Sequence, residues 1–86
     1  MKHRVSRKFW PLYESLPPGV RDVADKSFEL LKQNPRHSSL RLKKVGRFWS
    51  VRVGSGHRAL AVQEDSALVW FWIGDHDEYN RIIGGR

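Results

Sequence analysis

Apolar residues in the first part of the chain recur at helical spacing. Phe9, Leu12, Tyr13 and Leu16 fall at i, i+3, i+4 and i+7, one face of an α-helix. Pro17-Pro18-Gly19 interrupts that run. A second helix is predicted from about Pro18 to Gln33, because proline is tolerated in the first turn, where its missing N–H has no intrahelical partner to lose. Its apolar stripe holds Val20, Val23, Ala24, Phe28 and Leu31. Asn34-Pro35 ends it, since the residue before a proline avoids helical dihedrals. The pattern therefore opens with two antiparallel helices joined by a tight turn.

The period then changes from 3.6 to 2. Leu40 and Leu42 alternate with Arg41 and Lys43, predicting a first strand, and Gly46 marks a turn. Trp49, Val51 and Val53 alternate with Phe48, Ser50 and Arg52, and Gly54-Ser55-Gly56 reads as a hairpin. Arg58, Leu60 and Val62 alternate with Ala59 and Ala61 before the turn Glu64-Asp65-Ser66. Residues 67–73 are apolar throughout, which predicts a strand covered on both faces. Asp75 has the character of an N-cap, with Glu78 three residues on as its capping-box partner, for a short last helix carrying Tyr79, Ile82 and Ile83. The expected class is α+β: two N-terminal antiparallel helices packed on a four-stranded antiparallel sheet, then a short C-terminal helix. The helices would cover the inner face and leave the outer face free for charge.

Length makes this one domain, residues 1–86. A domain of that size buries roughly 60–65% of its unfolded surface, leaving little room for an internal cofactor cavity. There are no cysteines, which excludes disulfides, thiolate metal sites and cysteine nucleophiles. No apolar run approaches the roughly 20 residues that span a bilayer. The basic stretch Met1 to Lys8 is followed by mixed residues rather than a signal-peptide apolar region. The expected location is cytoplasmic, without membrane contact.

Charge sharpens the picture. Sixteen Lys and Arg against nine Asp and Glu give a net +7. Between Glu29 and Glu64 there is no acidic residue, while Lys32, Arg36, Arg41, Lys43, Lys44, Arg47, Arg52 and Arg58 all fall there. A solvated face usually mixes signs, so this block favours a polyanionic partner over a merely soluble surface. Alternation puts Arg41 and Lys43 on one side of their strand, where Arg52 can join them. Arg58 shares parity with Leu60 and Val62 and should lie among apolar neighbours. There it can clamp a phosphate or pair with a carboxylate such as Asp75 or Asp77. His76 and Tyr79, three apart on the last helix, share a face. They can move a proton and stack on a base, or simply pack beside Ile82 and Ile83. His37 and His57 read as local hydrogen-bonding residues, and no histidine pair has metal-ligand spacing. Trp10, Trp49, Trp70 and Trp72 read as packing residues, the last two by shared parity in an apolar strand.

Several blocks together resemble the RelE/ParE superfamily of toxin–antitoxin toxins. They are Leu16-Pro17-Pro18, the run 34–44 (NPRHSSLRLKK), Trp49-Ser50-Val51-Arg52-Val53, His57-Arg58-Ala59-Leu60 and the run 70–79 (WFWIGDHDEY), in this order over nearly the whole chain. The resemblance implies a metal-independent, ribosome-associated mRNA endonuclease that inhibits translation and needs no cofactor. In such toxins the ribose 2′-hydroxyl attacks the adjacent phosphate. By resemblance, Arg58, Lys43 and Arg41 would stabilise the developing phosphate charge, and Tyr79 or His76 would handle protons. Lys44, Arg47, Arg52 and Arg36 would bind RNA. The implied partners are mRNA, the ribosome and a cognate antitoxin, in a toxin–antitoxin hetero-oligomer.

Two departures from the family pattern matter. Many members open with a β-strand, and here Met1 to Val5 leaves almost no room for one, so the sheet would be a strand short. No acidic residue stands on the basic strand, where some of these RNases have one. The superfamily also includes toxins that target gyrase without RNase chemistry, and a catalytically idle RNA- or ribosome-binding module would carry the same charge.

Overall fold

A computed structural model describes residues 2–84. The elements run β1 (Lys2–Val5), α1 (Phe9–Glu14), α2 (Pro18–Gln33), β2 (Lys43–Val45), β3 (Phe48–Val53), β4 (His57–Glu64), β5 (Ala67–Asp75) and α3 (His76–Gly84). The strands form one sheet ordered β1-β5-β4-β3-β2. The helix pair, the strand ladder from β3 to β5 and the final helix fall where the periodicity places them. Helix α2 keeps both its expected ends.

The expectation of four strands is corrected. Residues 2–5 form a fifth strand that pairs in parallel with β5, from Lys2 opposite Ala67 to Val5 opposite Trp70, so the sheet is mixed. Four residues with two exposed cations carry almost no strand signal of their own. What holds β1 is distant: the His3 ring stacks on Trp70 with centroids 6.2 Å apart, and its Nδ1 accepts the Trp70 indole N–H at 3.1 Å.

The first predicted strand also begins later than expected. Leu40 is buried and Leu42 half-buried, but Arg41 between them has a φ of +47°, so the alternation over 40–42 is not extended backbone. Pairing starts at Lys43, opposite Ser50. A non-glycine residue in the left-handed region is uncommon and costs on the order of 1 kcal/mol.

The third correction concerns β5. Leu60 pairs with Trp72 while its neighbour Ala61 pairs with Trp70, so Phe71 is an extra residue in the ladder. This bulge cancels the shared parity of the two tryptophans. Trp70 faces the inner core with Val51, Val53, Ala59, Ala61, Leu68 and Ile73, against Leu16, Ala24 and Leu31 of the helix layer. Trp72 turns to the other side, where its ring lies across Gly74. The outer face is therefore not wholly open. Ser50 and Leu60 are fully buried on it, outside the inner core, and α3 lies across β4 and β5 there.

Partial burial, with nearby positive charge including Lys32, holds the His3 imidazole below the ordinary histidine value. The unfolded chain thus takes up that proton first, and stability should fall as pH drops below about 6.5. Comparing His3→Phe with the parent in urea unfolding isolates this effect. The parent should be the more stable by about 1 kcal/mol at about pH 8, from the lost indole hydrogen bond. That advantage should shrink as pH falls towards about 5. A difference independent of pH would show that His3 does not titrate against the fold.

Candidate nucleic-acid interface on the outer sheet face

Antiparallel registry places Arg52 of β3 directly opposite Arg58 of β4. Val51 and Val53 point into the core, so both arginines point outward. Like charges directly opposite on one face repel. Arg52 directs its Nε to the Gly54 carbonyl at 3.0 Å. The Arg58 guanidinium carbon lies 5.2 Å from the centroid of the Tyr79 ring, a cation–π contact. Its Nε and Nη1 are removed from solvent and have no hydrogen-bond partner among the described residues. A desolvated cation without a carboxylate is costly, and such a group is satisfied by an incoming anion.

The surroundings repeat that polarity. Arg58 and Arg52 line an open depression of about 640 Å³ together with Arg41, Leu42, Lys43, Ser55 and His76. Four cations and a histidine contribute, and no carboxylate among the described residues does. The left-handed turn at Arg41 occurs where the chain enters β2, and Lys43 faces outward in register with Ser50. Asp75 does not pair with Arg58: its Oδ1 accepts the Glu78 backbone N–H at 2.9 Å, the capping bond expected at the start of α3. The same junction is fixed from the other side by the His76 N–H, which donates to the Gly56 carbonyl at 2.9 Å. The His76 ring is exposed, 6.1 Å from that of Tyr79 and within 3.3 Å of Asn80 Nδ2. Tyr79 itself is buried, and its hydroxyl has no partner among the described residues.

The structure thus gathers Arg41, Lys43, Arg52, Arg58 and His76, with Tyr79 against Arg58. It does not gather the rest of the basic block there. Lys44 alternates with Lys43 and pairs with Trp49, towards the opposite face. Arg47 lies over the Phe48 ring, 5.5 Å from its centroid, at the β2–β3 turn. Arg36 borders a separate hollow beside His37 and Trp49, joined to the first only through Arg41 and Leu42. Ser50 and Trp72 are residues the sequence reading did not place here. Ser50 alternates like a solvent-facing residue, yet its hydroxyl is buried without a partner among the described residues. The ring of Trp72 lies so close over Gly74 that a Cβ at that glycine would come within 2.5 Å of it. Gly74 is the partner of Arg58 in register, so the tryptophan ring flanks the arginine.

A family model described as a ParE-like toxin domain matches residues 19–81. The chain belongs to this toxin family. No curated protein sequence matches it significantly. Among solved structures, it is similar to a chain of the RelB–RelE antitoxin–toxin complex from Methanococcus jannaschii, with a TM-score of 0.72 at 12% identity over 92% of this chain and 96% of that one. It is similar to a YoeB/ParE toxin from Agrobacterium tumefaciens, with a TM-score of 0.67 at 18% identity over 88% and 99% of the two chains. It is also similar to the isolated RelE toxin of E. coli, with a TM-score of 0.62 at 14% identity over 98% and 96%. At these identities the likeness is one of fold. The protein is thus a RelE/ParE-type toxin by family and by architecture, and the chemistry of its outer face has to be argued from its own residues.

An unpaired, partly desolvated arginine is a stability cost held in place by the fold. Replacing Arg58 with Leu should raise stability by about 1 kcal/mol, by removing both the buried charge and its repulsion from Arg52. Pyrophosphate should raise the melting temperature of the parent and leave that of Arg58→Leu unchanged. An Arg58→Leu protein that is less stable, yet responds to pyrophosphate like the parent, would show that Arg58 is not the anion-binding group.

Proposed function

We propose that this toxin is a metal-independent endoribonuclease acting on mRNA at the ribosome. The observation that carries the reading is the pair Arg52 and Arg58, directly opposed, with Arg58 held on the Tyr79 ring and no carboxylate lining their depression. Transesterification by a ribose 2′-hydroxyl concentrates negative charge on the phosphoryl oxygens, and preorganised cations in a partly dry site are worth most there. The O2′–P bond forms as the P–O5′ bond breaks. The 2′-hydroxyl proton passes to a base, and the departing O5′ takes a proton from an acid. Arg58 and Arg52 are placed to hold the phosphoryl oxygens, with Lys43 and Arg41 at the margin for the flanking backbone. His76, exposed at the edge of the same depression, is the group best placed to exchange protons with solvent and substrate. Tyr79 positions Arg58, and its buried hydroxyl becomes available for proton transfer only if α3 shifts. Lys44, Arg47 and Arg36, lying off the depression, serve longer-range attraction to RNA. A cognate antitoxin completes the proposal, since relatives of this fold from Methanococcus jannaschii and E. coli form RelB–RelE complexes.

A second reading is favoured by one observation, the ParE-like description of the matching family: a toxin that targets gyrase without cutting RNA. Inducible expression with transcript-end mapping separates the two. New 5′ ends inside translated messages support the RNase. Arrested growth with a DNA-damage response and intact messages supports the gyrase reading. In the first case Arg58→Ala should lower cleavage by about a hundredfold, the size of one lost transition-state contact, while the protein stays folded. Full cleavage by folded Arg58→Ala would overturn the assignment.

A further inference from the structure

On the opposite side of the molecule, α1 and α2 enclose a groove of about 210 Å³ walled by Phe9, Trp10, Tyr13 and Phe28. Small-molecule pockets run from about 300 to 1,000 Å³, so this one suits a single large side chain. Its aromatic wall is ordered: Trp10 meets Phe9 and Tyr13 edge to face, with centroids 5.6 and 5.7 Å apart. Trp10 is nonetheless 50% exposed, the largest apolar side chain so presented. In a chain of net charge +7, no lysine or arginine among the described residues lines the groove, whereas Asp25 and Glu29 do. Asp25 accepts the Tyr13 hydroxyl at 2.6 Å through Oδ1, which leaves Oδ2 free. At the rim, Lys32 places its ammonium 5.1 Å from the Phe28 ring centroid and 3.1 Å from Glu29. The protein's own cation thus already uses one aromatic face and one carboxylate of this site from outside.

We propose that this groove receives an arginine side chain of a partner protein, its stem along the aromatic wall and its guanidinium between Asp25 and Glu29. The inference is independent of the chemistry on the sheet face. A purely apolar anchor would cover the Asp25 carboxylate without a cation, which is unfavourable, and an acidic anchor would be repelled. Arginine is preferred to lysine because a planar guanidinium stacks on an indole while bonding a carboxylate through two N–H groups. The exposed Glu29–Lys32 pair is weak enough to yield.

The test is an amide NMR titration of the full chain with N-acetyl-arginine amide and, separately, N-acetyl-norleucine amide. Saturable shifts should centre on α1 and α2, with the arginine probe binding about threefold more tightly, as a weak solvent-exposed ion pair would give. In Asp25→Asn/Glu29→Gln the ratio should fall to about one, because the carboxylates and not the aromatics supply the preference. Trp10→Ala should weaken the arginine probe while leaving the sheet resonances in place. Equal or tighter norleucine binding to the parent would mean an apolar anchor and overturn the proposal. An arginine preference that survives the double substitution, or the absence of any saturable shift on the two helices, would overturn it as well.

Discussion

Strand β5 has to serve two layers at once, and the bulge at Phe71 is how it does so. Without the extra residue, Trp70 and Trp72 would project from the same face, and one layer would lack its aromatic anchor. With it, Trp70 enters the inner core and holds β1 through His3, while Trp72 turns outward over Gly74. Only a residue without a side chain leaves room for that ring. The strand then ends at Asp75, whose carboxylate caps α3, and the helix lays Tyr79 against Arg58. The position of Arg58 therefore depends on a break in strand parity at Phe71, inside a strand paired on both sides rather than at the rim of the sheet.

Charge is distributed by layer. Asp25 and Glu29 of α2 border the inner, aromatic groove, and Arg41, Lys43, Arg52 and Arg58 line the outer depression. Among the described residues the one ion pair joins Glu29 and Lys32 at the helix surface, so the outer cations are not neutralised internally. Repulsion between Arg52 and Arg58, the left-handed Arg41 and the unpartnered guanidinium nitrogens are all costs. The two electrostatic costs are offset when an anion lies between the arginines. Local strain of this kind is common where a fold is organised around a ligand.

Much of the fold was legible in the residues. The helical spacing of Phe9, Leu12 and Tyr13, the proline breaks around α2, the hairpin glycines and the Asp75 cap are local signals, read over a few residues by sterics and hydrogen bonding. The parity of Arg58 with Leu60 was legible too, because alternation along β4 depends on that strand alone. The basic block between Glu29 and Glu64 and the motifs of the RelE/ParE family were equally present in the sequence.

Other features were decided only by tertiary structure. Strand β1 exists because β5 offers it an edge and Trp70 a partner, and no property of Lys2-His3-Arg4-Val5 announces this. Arg41 left the first strand because the chain turns into the left-handed region there, although its neighbours alternate like a strand. The burial of Ser50, and of an Arg58 guanidinium without a hydrogen-bond partner among the described residues, depends on how strands and α3 meet on the outer face. Which cations of the block share one depression, and that Lys44, Arg47 and Arg36 do not, was set by register and by turns. Composition fixes the charge and local pattern fixes the elements. The grouping of charges into a site arises from contacts between residues far apart in the chain, whose geometry no local signal encodes.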